Sequence, residues 1–313
     1  MLKTMATPAA RQLAAERHID LRGIKGSGEF GSVIKADIER LRANRRVTSL
    51  ARKVAGYYGV DLDHLNESAI RKETVLKYVG KGGGADNVVA PSAMRRMIAE
   101  RMKQSMDVAP QYTLSAEYDV SLLLERFEVE KAAVLSSSGV KITLTDVLVK
   151  LAAYALSLHE LVNASLIDGM IHYHKEINIG VAVALDSGLT VPVIRNVREK
   201  SLEQIARDRA ALVAKAREGR LEQRDIDGGT FTLSNLGMYP IDQMTPIINQ
   251  PESAILGTGR VVRKPVVIED TIAIRPMMTF SATADHRLID GALLAEFMKT
   301  MHDCLEEPNR LFE

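Results

Sequence analysis

Cysteine is almost missing from this chain: Cys304 stands alone among 313 residues. A single thiol excludes an internal disulfide and any cysteine-rich metal site, and it makes a reducing compartment the simplest setting. On its expected terminal helix Cys304 reads as a small buried apolar residue. Net charge is nearly missing as well, since 41 basic side chains face 40 acidic ones. That balance gives no electrostatic reason to expect a nucleic-acid partner. No apolar run approaches the ~20 residues needed to span a bilayer, and Met1 to Pro8 holds no apolar stretch of a secretion signal. The cytoplasm, away from membranes, is the expected location. Several catalytic signatures are absent too. Without a Gly-x-Ser-x-Gly elbow, a hydrolase nucleophile is not expected. No Gly-Lys-Ser/Thr ending occurs, and Gly26-Ser27-Gly28 lacks a preceding strand, so neither a P-loop nor a dinucleotide fold is supported. His172 and His174 flank Tyr173 at strand spacing, but no third ligand follows, and no metal site is expected.

What is present is modular. Thr7 and Pro8 suit a helix cap and first position, predicting a short helix over Ala9 to Arg17. A glycine-rich loop from Gly26 to Gly31 follows, and Lys35 opens a second helix. The pattern then recurs. Ala51-Arg52-Lys53-Val54-Ala55 matches Ala10-Arg11-Gln12-Leu13-Ala14, and Val60-Asp61-Leu62 matches Ile19-Asp20-Leu21, both at an offset of 41. Lys72-Glu73-Thr74-Val75 matches Lys35-Ala36-Asp37-Ile38 at an offset of 37. The second copy therefore lacks four residues of the glycine loop, which Asn66-Glu67-Ser68-Ala69 replaces. An internal duplication is the reading; chance similarity of two Ala/Arg-rich helices is the alternative. Gly80 to Asn87 reads as a linker. The expected division is a module over 1–41, a second, degenerate copy over 42–79, a linker over 80–91 and a large domain over 92–313.

The large domain is α/β without the regular alternation of a doubly wound sheet. Ser92 opens a helix carrying Met94, Met97, Ile98 and Met102 among basic residues. Glu117 to Leu124 mixes strand and helix signals, and Thr145 to Leu158 is helical. Two strands, 177–185 and 189–194, are predicted to join at Asp186-Ser187-Gly188. A helix over Ser201 to Glu218, strands over Thr230 to Leu233 and Ile272 to Ala282, and a helix over Gly291 to Leu305 complete it.

Two element ends carry polar groups suited to chemistry. A strand passes into Asp285-His286-Arg287 and a loop with Asp290-Gly291, a place where sites form; a salt-bridged turn explains the same residues. Another strand runs into Ser234-Asn235 and stops at Gly237. There a serine either satisfies a turn or aims its hydroxyl at a developing oxyanion.

Asp285-His286-Arg287-Leu288-Ile289-Asp290-Gly291-Ala292 resembles the signature of the acyltransferase component of 2-oxo acid dehydrogenase complexes. Ser92 to Met102, Glu176 to Ala182, Gly188 to Ile194 and Pro246-Ile247-Ile248-Asn249-Gln250-Pro251 resemble further family segments, so the likeness runs from Ser92 to Glu313. Residues 6–39 resemble the family's peripheral subunit-binding domain. The resemblance implies a chloramphenicol-acetyltransferase-like α/β catalytic domain preceded by small helical binding domains. It implies acyl transfer between dihydrolipoamide and coenzyme A, with His286 as general base, Ser234 stabilising the oxyanion, and Asp290 orienting His286 or pairing with a basic group. Imidazoles as a class titrate near ~6.5, suited to taking and returning a thiol proton. Asn235 would support the Ser234 turn, and Arg95 and Arg101 would meet coenzyme phosphates or buried carboxylates.

The family further implies trimers with a site shared between subunits, assembled into a 24-mer or 60-mer, with Leu311 and Phe312 as an anchor between trimers. Residues 6–39 would hold the 2-oxo acid decarboxylase, the dihydrolipoamide dehydrogenase or both. No segment here resembles a lipoyl domain, so the lipoyl group is expected on a separate domain or chain, or the chain is a truncated one. Gln111 departs from the family, which often places histidine there. Acetyl is the first choice of acyl group, with branched-chain and succinyl groups open. A non-catalytic scaffold subunit and a free-standing chloramphenicol-type acetyltransferase are the alternatives. Ser234 and His286 together argue against the first, and the 6–39 module argues against the second.

Overall fold

The computed structural model describes residues 5–16, 21, 24–43, 46–62, 65, 67, 69–80, 89–185 and 188–312. The chain divides into two units, Met1–Ser92 and Ala93–Glu313. Residues 81–88 of the linker expected over 80–91, Asp186 and Ser187 of the expected turn, and Asn66 and Ser68 of the shortened loop lie outside the described residues.

In the first unit, α1 (Pro8–Glu16) and α2 (Lys35–Ala43) enclose a small core of Ala10, Leu13, Ala14, Val33 and Ile38. Residues Ala6 and Val33 form a parallel bridge. So small a core needs its loop pinned, and the buried Asp37 does this. Its carboxylate accepts from Ser27 N (2.8 Å), Ser27 Oγ (2.5 Å) and Ile34 N (3.0 Å). The next segment has β1 (Arg46–Val47), α3 (Ser49–Tyr58), β2 (Ala69–Ile70) and α4 (Lys72–Gly80). They surround a core of Ala51, Ala55, Leu65, Ile70 and Val75. The αL residue Gly59 (φ 63°) ends α3, a conformation that suits glycine.

The second unit runs α5 (Ala93–Val108), β3 (Gln111–Asp119), α6 (Ser121–Ser138), α7 (Leu144–Leu158), then the hairpin β4 (Ala164–Ile167) and β5 (Met170–Tyr173). Next come β6 (Ile179–Val181), β7 (Val183–Leu185), β8 (Gly188–Thr190), β9 (Val193–Ile194), α8 (Leu202–Arg217) and α9 (Gln223–Ile226). The chain closes with β10 (Phe231–Asn235), β11 (Ala254–Thr258), β12 (Val262–Ile268), β13 (Thr271–Asp285) and α10 (Gly291–Glu306). A mixed seven-stranded sheet of order β12-β13-β11-β10-β6-β9, with β3 also on β13, carries the site. Strands β10 and β11 are parallel, β11 and β13 antiparallel. Both expected strands around 177–194 break, at Ala182 and at Val191-Pro192; Pro192 has no amide to donate to a ladder.

Helix α7 is apolar almost all round because α8, α10 and the sheet cover it. Its one buried charge, Asp146, closes a capping box with Thr143 and takes a fork from Arg209 of α8 (2.6 and 3.2 Å). Removing either partner strands a buried charge, a loss of roughly 3 kcal/mol or more. Cys304 is fully buried on α10, as expected from its sequence setting, and burial pushes its thiol up to about 11. Leu311 is buried in the same core and Phe312 lies half-buried beneath Arg126. Of the two side chains expected to anchor a neighbouring trimer, Leu311 packs inside its own chain and Phe312 stays partly exposed.

Candidate active site

His286 follows directly on β13, exposed, on a turn whose rigidity comes from its neighbours. Asp285 is buried and receives Arg287 through Nε (3.0 and 3.1 Å) and a second guanidinium nitrogen (2.6 Å). It also accepts the Arg287 amide (3.0 Å). The Asp285 backbone oxygen accepts Leu288 N and Ile289 N, and the His286 amide donates to Pro110 O (3.0 Å). The salt-bridged turn is therefore real, and it displays the imidazole. A bidentate guanidinium–carboxylate fork holds geometry well, and the carboxylate raises the Arg287 pKa.

Tyr112, on β3 one residue from the Asp285 partner Gln111, flanks the imidazole with ring centres 4.6 Å apart. Its hydroxyl donates to Asp290 O (2.7 Å), and burial together with the Asp290 charge pushes the phenol up to about 12. It stays a neutral donor. The Asp290 carboxylate is the N-cap of α10, accepting Leu293 N at 2.9 Å. Among the described residues it forms no ion pair with a basic group, and the Asp290 backbone oxygen joins it to the Tyr112 side of the His286 turn.

Gln111 replaces the expected histidine with a three-way link. It donates to Ser105 O and Oγ (3.1 and 2.9 Å) and accepts Ile248 N (3.0 Å). Ser105 Oγ in turn donates to Ile248 O. The end of α5, the start of β3 and the 246–249 loop are thereby tied beside the His286 turn. Tyr112 was not legible as a site residue, because His286 and Asp290 stand more than a hundred positions away in sequence, and the link from Gln111 to Ile248 is equally distant.

Ser234 lies near the end of β10, half-buried, its hydroxyl without a hydrogen-bond partner among the described residues. Asn235 fixes the turn after it: Oδ1 accepts Gly237 N (2.7 Å) and Nδ2 donates to Thr145 Oγ1 (3.1 Å). A Cβ at Gly237 would stand 2.9 Å from that same Oδ1, and a Cβ at Gly257, beside Ser234, would strike the Met244 side chain at 2.7 Å. Both glycines permit a close approach. Beneath Ser234, on the same strand face, Thr232 donates to Glu252 Oε2 (2.6 Å), and Asn249 holds Oε1 (3.1 Å). Burial pushes the fully enclosed Glu252 up to about 8. Arg95 and Arg101 stand exposed on α5.

Sheet register decides how far apart the two ends are. Ser234 faces Gly257, and Gly257 faces Ser281, from which β13 continues to Asp285 before His286 is reached. At ~3.4 Å per residue and ~4.8 Å per strand the two side chains are on the order of 20 Å apart within one chain. Attack and oxyanion stabilisation require groups within hydrogen-bond reach of one carbonyl. A single chain does not supply that.

Comparison with known proteins bears on both units. Residues 83–313 match the family model for the 2-oxoacid dehydrogenases acyltransferase (catalytic domain), and residues 4–39 match that for the e3 binding domain. The dihydrolipoyllysine-residue acetyltransferase component of pyruvate dehydrogenase complex from Rickettsia bellii is 33% identical over 98% of this chain and 67% of its own length. A solved Azotobacter vinelandii dihydrolipoamide acetyltransferase superposes with TM-score 0.70 and 35% identity, covering 74% of this chain and 95% of that one. It comes from an investigation of a serine, a histidine and an asparagine in the catalytic mechanism, spaced by 52 and then 4 residues. Ser234, His286 and Asp290 have the same spacings. The solved cubic core of the pyruvate dehydrogenase multienzyme complex gives TM-score 0.69 and 36% identity over 74% of this chain and 96% of that one.

Proposed function

The chain belongs to the 2-oxoacid dehydrogenase acyltransferase family, and from that premise we propose that it transfers an acetyl group between dihydrolipoamide and coenzyme A at a site shared by two copies. The observation that carries this is the separation of Ser234 from His286 within one chain, combined with spacings equal to those of the relative's serine and histidine.

His286 from one copy takes the proton of the attacking thiol. The thiolate adds to the thioester carbonyl, and the Ser234 hydroxyl of the adjoining copy donates to the resulting oxyanion. Collapse expels the second thiolate, which receives the proton back from His286. Tyr112 and the Asp285–Arg287 fork keep the imidazole in place, Asp290 holds the turn by capping α10, and Asn235 keeps Ser234 aimed. Arg95 and Arg101 are the proposed contacts for coenzyme phosphates. Coenzyme A and the lipoyl group enter as substrates, the latter on another domain or chain.

Met238, Tyr239, Ile241 and Ile247, exposed after Ser234, form the apolar surface that a neighbouring copy covers in a trimer. Eight trimers at the corners of a cube give the 24-subunit particle that the cubic relative suggests. The 1–41 module docks the dihydrolipoamide dehydrogenase, the decarboxylase or both, with 42–79 a second module, 80–91 a linker and 92–313 the catalytic domain. No helix among the described residues is long and apolar enough to cross a membrane; we place the protein in the cytoplasm.

Purified protein is expected to move acetyl from acetyl-CoA to free dihydrolipoamide, and His286→Ala to lower kcat by at least ~10³-fold with the particle mass unchanged. Unchanged turnover in that variant removes His286 from the mechanism.

A further inference from the structure

The e3 binding domain model stops at residue 39, yet the same construction is repeated immediately after it, bond by bond. Thr7 N donates to Val33 O (2.9 Å), and Thr48 N donates to Ile70 O (3.1 Å). The parallel contact Ala6–Val33 returns as Val47–Ile70. Thr7 Oγ1 accepts Ala10 N (3.3 Å), and Thr48 Oγ1 accepts Ala51 N (3.2 Å). A turn closed by Ile24 N on Leu21 O has its counterpart in Leu65 N on Leu62 O. The buried side chains follow the same map: Ala10, Ala14, Val33 and Ile38 become Ala51, Ala55, Ile70 and Val75.

Even the buried carboxylate has its substitute. Where Asp37 accepts Ile34 N, Thr74 Oγ1 accepts Arg71 N (3.4 Å), and where Asp37 takes the Ser27 hydroxyl, Thr74 donates to Glu67 (2.9 Å). Four fewer loop residues leave less to pin, and a hydroxyl with one glutamate does it. Offsets of 41 before the loop and 37 after it hold for every matched core, cap and bridge residue, a regularity that chance similarity of two helices does not produce.

The surface diverges where the core does not. Exposed Arg52 and Lys72 repeat Arg11 and Lys35. Met5 and Ile34, beside the parallel contact, become Arg46 and Arg71, both exposed. Arg46, Arg52, Arg71 and Lys72 form no ion pair among the described residues. One acidic side chain, Glu73, shares the first turn of α4. Four basic groups around one end of so small a module make a local positive field in a chain of almost no net charge.

We propose that residues 46–79 are a second docking module, which holds an acidic protein surface through Arg46, Arg52, Arg71 and Lys72. The occupant is a second copy of the dihydrolipoamide dehydrogenase component, since core, caps and the Arg/Lys pair are those of the matched binding domain. This rests on the docking role proposed for residues 1–41.

The test is native mass spectrometry of the full-length particle titrated with dihydrolipoamide dehydrogenase. It compares the wild type, Arg11→Glu/Lys35→Glu, Arg52→Glu/Lys72→Glu and the combination, with circular dichroism to check folding. Wild type is expected to take dehydrogenase at two sites per chain. The first pair of reversals leaves one site, weakened further as salt rises, and the combination lowers residual affinity at least tenfold. Arg52→Ala/Lys72→Ala, which introduces no new charge, lowers it in the same direction. Binding lost entirely when only the first copy is reversed overturns the second site and leaves the first intact. No binding to wild type overturns both.

Discussion

The two ends of the site are held by opposite means. The His286 end is ionic and near the surface: a half-exposed guanidinium forks onto a buried carboxylate, and the imidazole is displayed beyond it. The Ser234 end is neutral and deep. Its strand is buried through Leu233, and Glu252, which accepts the Thr232 hydroxyl on that strand, is enclosed, with burial pushing its carboxyl up to about 8. In the proposed mechanism one end exposes a ring to move a proton, and the other fixes a donor for the oxyanion. On the proposed reading, the difference teaches that each chain carries both halves of a site about 20 Å apart and that assembly joins them.

The comparison can be broken most severely from the serine side. Ser234→Ala is expected to lower kcat by ~10²–10³-fold, about 3 kcal/mol of lost oxyanion stabilisation, with KM nearly unchanged in steady-state kinetics. An equal loss in KM would make Ser234 a binding group instead. On the histidine side, Asp285→Asn keeps the shape but weakens the fork. Turnover is expected to fall about tenfold, and thermal unfolding to show a loss of roughly 1–2 kcal/mol, discounted because Arg287 is partly exposed.

A further effect, on stability and not on turnover, should appear against pH. Glu252 binds its proton more tightly folded (about 8) than unfolded (4.5). Its contribution is therefore fully present below pH 4.5 and is lost as pH rises towards 8, at up to ~1.4 kcal/mol per unit. Glu252→Gln, monitored by Tm between pH 5 and 8, should flatten that decline; an unchanged slope would assign the pH dependence elsewhere.

Much of the fold and site is legible in the sequence alone. The helix periods locate α7, α8 and α10, which are long enough for burial to impress a repeat, and β-branched and aromatic runs locate β10 and β13. His286 is visible as a histidine at a strand end, and Ser234 as a serine before a glycine stop. Strands β11 and β12 are not visible: β11 is buried throughout and shows no alternation, and β12 contains Pro265. Nor does the sequence separate Asp285, which grips Arg287, from Asp290, which caps α10, since both are aspartates beside a loop. The bonds from Gln111 to Ile248 and from Tyr112 to Asp290 span 137 and 178 positions, and local pattern contains nothing of them.

Subunit complementation addresses the shared site most directly. His286→Ala and Ser234→Ala chains, each nearly inactive alone, are mixed, dissociated, reassembled and assayed for acetyl transfer to dihydrolipoamide. Because each proposed site takes its histidine and its serine from different copies, random mixing should restore about a quarter of wild-type turnover. Mixed particles of the correct mass that stay as inactive as either parent would contradict it and return both residues to one chain.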